Sequence, residues 1–237
     1  MRTRSKALLL SLCAVLLVAA SVLGTMAYLT DSEAVTNTFT VGKVHLTLDE
    51  AEVNPDGTYK TDHEKRVQEN KYHLIPGHTY IKDPTVTVDA ESEDSYIRVM
   101  VKVDGLKDLK DAMPKDAFQT FYDKDLFLLQ NLCLNEKDEL TWDSDVWQYE
   151  TFHTEGTYAN CYEFRYVGND AVNPGNGIVV KSETSTALPD LFTHITVPGE
   201  INNTQLANLA TVKIVVTAHA IQADGFANAD EAWEAFK

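Results

Sequence analysis

The stretch Ser95-Tyr-Ile-Arg-Val-Met-Val-Lys-Val103 decides the fold class. Ile97, Val99, Val101 and Val103 recur at every second residue, with Arg98 and Lys102 between them. Alternation of this kind puts the apolar side chains on one face of an extended chain, whereas a helix needs them three and four apart. It predicts a half-buried β-strand. Working outward, Tyr158 to Tyr166 repeats the pattern, with Tyr162, Phe164 and Tyr166 facing one way and Glu163 and Arg165 the other. Val212, Ile214, Val216, Ala218 and Ala220 alternate against Lys213, Thr217 and His219. Pro84–Val88 and Ile178–Val180 read as shorter strands. Strands without long helices alternating between them predict a mainly β chain, an antiparallel sandwich rather than a parallel sheet.

Turn chemistry separates these runs. Asn54-Pro-Asp-Gly57, Pro76-Gly77, Asn173-Pro-Gly-Asn-Gly177 and Pro198-Gly199 supply preset or positive φ angles. Two stretches break the period. Residues 105–132 carry Ala117, Phe121, Phe127 and Leu128 at helical spacing, which predicts a helical insertion between strands. At the end, Asn228 is an N-cap with Glu231 three residues on, and Ala232, Trp233 and Phe236 share a face, so a short amphipathic C-terminal helix is expected. The first strand candidate slips phase. Phe39 and Val41 are apolar at odd positions, whereas Val44, Leu46 and Leu48 are apolar at even ones. An extra residue at Gly42-Lys43, in the manner of a β-bulge, would restore one inward face. Residues 28–41 and 44–48 are therefore two separable strand pieces.

The chain has 237 residues, 20 basic and 36 acidic, for a net charge of −16. That balance argues against nucleic acid and anionic membrane surfaces, which are bound by clustered Lys and Arg. The front of the chain is different. Residues 1–27 carry Arg2, Arg4 and Lys6 and no acid, then an apolar run from Ala7 to Gly24 and the small-residue junction Thr25-Met26-Ala27. A basic stub, a greasy stretch and a small-residue cleavage point make a secretory signal, with cleavage expected between Ala27 and Tyr28. A retained membrane anchor is the alternative on length alone. The mature chain 28–237 would then be one domain with a net charge of −19 and two cysteines, Cys133 and Cys161. An exported protein can oxidise such a pair. Two buried free thiols are an equal alternative.

Motifs for chemistry are sparse. His63-Glu64 begins a zinc-protease helix motif, but position 67 is Val67, so the second ligand is missing. His73 and His78 straddle the Pro76-Gly77 turn and cannot share a helical face, and His219 reads as a surface residue. No Gly-x-Ser-x-Gly elbow or phosphate loop is present. Neither a catalytic nor a metal-ligating set is expected. No cofactor is expected either, with calcium on Asp143 and Asp145 left as an open alternative because that run lacks the Gly and distal Glu of a dedicated loop. Trp142, Trp147 and Tyr149 offer either a carbohydrate platform or core packing, and core is the commoner use.

The junction Gly24-Thr-Met-Ala-Tyr-Leu-Thr-Asp31, followed by Asn37-Thr-Phe-Thr-Val-Gly42 and a Leu-x-Leu strand, resembles the TasA/camelysin family. Leu74-Ile-Pro-Gly-His-Thr-Tyr-Ile-Lys-Asp-Pro84, Ser95-Tyr-Ile-Arg-Val99 and the ending Ala220–Phe226 with Ala232–Phe236 are similar to segments of its clostridial branch. Residues 105–195 carry no such likeness. The resemblance implies a jelly-roll-like sandwich, released by a SipW-type signal peptidase and located in the extracellular matrix or at the cell surface. It further implies assembly with itself and with other matrix proteins into biofilm fibres, in which the mature N-terminal segment of one subunit completes the sheet of the next. Here that donor would be Tyr28–Val41, with Phe39 and Val41 on its inserted face and Gly42 as the break behind it. One branch of the family is described as metallopeptidases, so a secreted protease is an alternative reading, although no ligand set can be named. A monomeric adhesin or sugar-binding sandwich is the third. No Leu-Pro-x-Thr-Gly sorting signal is present, and covalent wall attachment is not expected.

Overall fold

β5 (Ser95–Asp104) organises the molecule. Ile97, Val99, Val101 and Val103 are at most 1% exposed, as the alternation requires. In the computed structural model the described residues are Leu16, 43–61, 64–105, 133, 135–137, 139–168, 176–197, 199, 201–209 and 212–236. The chain divides into two units, 1–41 and 42–237. Elements of the second unit are β1 (Leu46–Ala51), β2 (Arg66–Val67), β3 (Thr79–Ile81), β4 (Thr85–Val88), β5, β6 (Trp147–His153), β7 (Cys161–Tyr166), β8 (Ile178–Val179), β9 (Thr186–Ala187), β10 (His194–Thr196), α1 (Asn203–Asn208), β11 (Lys213–Gln222) and α2 (Ala229–Ala235).

The strands form a four-stranded sheet ordered β2-β1-β4-β9, a β10-β3 ribbon, and a larger sheet ordered β11-β5-β7-β6 with β8 beside β5. Every strand pair is antiparallel. Leu46, Leu48, Val86 and Val88 from the first sheet, Tyr80 and Ile195 from the ribbon, and the inward residues of β5, β7 and β11 meet in one hydrophobic cluster. The chain is mainly β, with its antiparallel sheets sharing a core. Gly57, at φ +79°, turns the chain tightly against Tyr80; a Cβ there would stand 2.5 Å from the Tyr80 ring.

Several expectations need correcting. β5 is buried on both faces rather than half-buried, because the C-terminal segment covers its outer side and leaves Arg98 only 5% exposed. β1 begins at Leu46, after Lys43, Val44 and His45 in irregular backbone. The proposed bulge at Gly42, the donor segment and the helical insertion at 106–132 lie outside the described residues. So does the signal segment except Leu16. Among the described residues, no helix is long and apolar enough to cross a membrane. α2 follows its sequence signal closely: Asn228 accepts a hydrogen bond from the Glu231 amide, and Ala232 and Trp233 are buried.

Candidate functional site

A concavity lies between edges of the two sheets that are open among the described residues. β1 pairs with β4 along Leu46–Asp49, and β2 covers its other edge only at Glu50 and Ala51. β11 pairs with β5 over its full length, and among the described residues no strand pairs with its other edge. Between these edges runs a cleft of about 1440 Å³, walled by β1 and residues 67–74 on one side and by α1 and β11 on the other. Its apolar lining includes Leu46, Leu48, Leu206, Ile214, Val216 and Ala218. All six remain partly exposed. The contrast with β5 is direct, because Val216 lies opposite Val101, which is completely buried. Inward-facing side chains on a long strand are left short of contacts, and half the backbone donors and acceptors of that strand point away from β5. The arrangement suits an added β-strand better than a small polar ligand.

The polar end of the cleft is already satisfied. Lys82 Nζ lies 2.5 Å from Glu50 Oε2, both side chains being about a tenth exposed. Asn70 donates to Glu50 Oε1 at 3.0 Å and to the Ala51 carbonyl at 2.8 Å, and accepts from the Val53 amide. The Tyr72 hydroxyl donates to the Ile81 carbonyl, and burial raises its pKa. Beside it, Asp49, Asp83 and Asp190 converge, but Arg66 fills the space between the first two. Its Nε donates to Asp49 and its Nη1 to Asp83, each at 2.8 Å, while Nη2 reaches the Asp49 and Asp83 carbonyls and the Thr85 hydroxyl. Burial raises the Asp190 carboxyl, against the hydrogen bond from Thr85. These acids hold the β1–β2–β4 corner together. Among the described residues, no cluster of three or more His, Cys, Asp or Glu could hold a metal ion.

No protein-family model, curated protein or solved structure matches the chain.

The residues singled out in the sequence fall as follows. Ala27, Tyr28, Phe39, Val41 and Gly42 lie outside the described residues, as does His63. Cys133 and Cys161 are free thiols, not a disulfide. The reason is their placement: Cys133 belongs to the central hydrophobic cluster, whereas Cys161 alternates with Tyr162 on β7 and faces the other side of the sheet with Glu163. Burial raises both thiol pKa values, which disfavours the thiolate that nucleophilic or redox chemistry needs. Trp147 is fully buried, and Trp142 packs edge-on against Phe164 while donating to the Trp147 carbonyl, so these rings are core. Asp143 Oδ1 accepts from the Asp145 amide in an exposed turn. His78 Nε2 sits 2.7 Å from the Asp56 carbonyl and its ring lies against Tyr80. Sequence reasoning missed the cleft itself, since it depends on which strands lie at the edges. It also missed a charged cluster around Arg98 on the outer face of the larger sheet.

Proposed function

We propose that the chain is a secreted structural subunit of extracellular matrix fibres, whose cleft between β1 and β11 accepts the Tyr28–Val41 segment of a second copy. The observation that carries this reading is the edge of β11 that no strand among the described residues pairs, above an apolar, partly exposed cleft. Three further features support it. The donor segment belongs to the first unit, 1–41, and not to the unit 42–237 that carries the cleft. Its Phe39 and Val41 alternate with Thr38 and Thr40, the pattern of a strand with one face to bury. Its reach is sufficient, since fourteen extended residues span about 46 Å at 3.3 Å each and the ten residues of β11 span about 33 Å.

A strand donated head-to-tail generates an open array rather than a closed dimer. Each junction would pair the free backbone edge and bury Phe39 and Val41, at roughly 1.5–3 kcal/mol per side chain. On this reading the segment is released for donation when a SipW-type peptidase cuts between Ala27 and Tyr28, so processing also switches on assembly. Resemblance at that junction favours the TasA/camelysin branch of matrix proteins, with minor matrix proteins as further partners. The reading assigns no catalytic step to the chain. Its test is negative-stain microscopy of the mature protein and of Phe39→Asp/Val41→Asp. We expect filaments from the first and folded monomers from the second, because two unpaired charges would have to enter an apolar cleft. Normal filaments from the double variant would overturn strand donation.

A further inference from the structure

The outer face of the larger sheet holds a second, smaller apolar cluster, separate from the main core. Tyr96, Ala223, Ala232 and Trp233 form it, with Ile221 and Phe226 packed alongside. The C-terminal strap, residues 223–236, is its lid, and beneath the lid lies charge. The Arg98 guanidinium sits 4.6 Å from the Trp233 ring, 4.8 Å from Phe236 and 5.2 Å from Tyr158. Arg98 Nε donates to His219 Nδ1 at 3.2 Å. An arginine can only donate, so this bond requires an unprotonated Nδ1 on His219. The same imidazole is in ring contact with Phe236 at 5.1 Å. The last aromatic residue of the strap therefore rests on both the cation and the neutral histidine.

We infer that the strap is an acid-released latch, with His219 as the group that releases it. Protonating Nδ1 turns the acceptor into a second donor and sets imidazolium against a buried guanidinium. Both cations then lie under the rings that hold the strap. Other charged groups around the pair do not cancel this. On β7, Glu163 lies 3.6 Å from Arg98 but is already shared with His153 of β6 at 2.8 Å and Arg165 at 3.0 Å. Arg165 is in turn held by Asp230 of α2 and by Glu150 of β6. His153 bears on Glu163 and not on His219 Nδ1, which faces Arg98. Glu231 is engaged in holding the Ala227 amide, and Glu234 is exposed. Burial and the Arg98 charge lower the His219 pKa, with Glu163 acting the other way. A lowered histidine pKa means stability that is intact above the ordinary value near 6.5 and is lost as pH falls through the folded value.

Hydrogen exchange of the full chain tests the inference. After correction for intrinsic rates, amides of residues 223–236 should lose protection by on the order of tenfold between pH 7 and pH 5, while those of β5 and β7 keep theirs. His219→Asn retains an oxygen acceptor for Arg98 and cannot charge, so its strap should stay protected throughout. Unchanged wild-type protection, or an equal loss in His219→Asn, would overturn the inference. A parallel loss in β5 would also overturn it, as unfolding of the whole sandwich. Should the variant fold poorly, the wild-type His219 ring resonance serves instead. Its titration must share a midpoint with strap opening, and a different midpoint contradicts the latch.

Discussion

Glu163 is 2% exposed and pairs with Arg98, His153 and Arg165 on the larger sheet. Burial works against its charge, but hydrogen bonds from His153 and Arg165 and the nearby Arg98 outweigh burial and hold the carboxyl below the ordinary carboxylate range. A depressed carboxyl pKa gives stability that is present above the unfolded value near 4.3 and lost as pH falls through the folded value. Glu163→Gln would leave the guanidinium of Arg98 without its counter-charge, a loss typically worth about 3–5 kcal/mol for a buried pair. We expect a large drop in denaturant midpoint at pH 7 that narrows as pH falls below the unfolded value near 4.3, where the unfolded chain's carboxylate takes up its proton. A pH-independent difference would show that the ion pairs contribute little and that packing dominates. The sequence gives no hint of this cluster. Arg98, Glu163 and His219 each read as the polar side of a half-buried strand, and only the fold reveals that another segment covers that side.

Elements were legible where they were long enough to show a period. β5, β7 and β11 follow their alternation, and α2 follows its cap and apolar face. β2, β3, β9 and β10 have two or three residues each, too few to display any period. β6 escaped for a different reason. Trp147 and Tyr149 point inward, then a bulge between Tyr149 and Thr151 shifts the phase so that Phe152 points inward too, and the alternation cancels. α1 did carry a signal, because Asn202 and Gln205 form a reciprocal capping box. The cleft was not legible, since edges belong to pairing and not to any single strand. It gives a test at this scale. Val101 and Val216 are cross-strand neighbours, the first fully buried and the second partly exposed. Val101→Asp should abolish folding, because a lone charge would be fully buried. Val216→Asp should give a folded monomer with near-native circular dichroism that forms no filaments. Equal damage from the two would mean that the β11 side of the cleft is a closed core.

For the whole molecule, the proposed function links processing and assembly through residues 28–41. N-terminal sequencing of the exported protein should read Tyr28 first; a start at Met1 or beyond residue 42 would remove the donor from the scheme. A strongly acidic subunit also repels its neighbours, so each junction must gain enough from backbone pairing and apolar burial to overcome that repulsion. Strand donation requires that the strand filling the cleft come from another molecule. Cysteine pairs between Val216 and each of Val35, Asn37, Phe39 and Val41, with single-cysteine controls, test it most directly. Oxidation of mature protein should yield a ladder of covalent multimers on a non-reducing gel for at least one pair, in phase with Phe39 and Val41. Cross-linking confined to the monomer band would show that the segment closes its own subunit, and no cross-link from any pair would contradict strand insertion at β11.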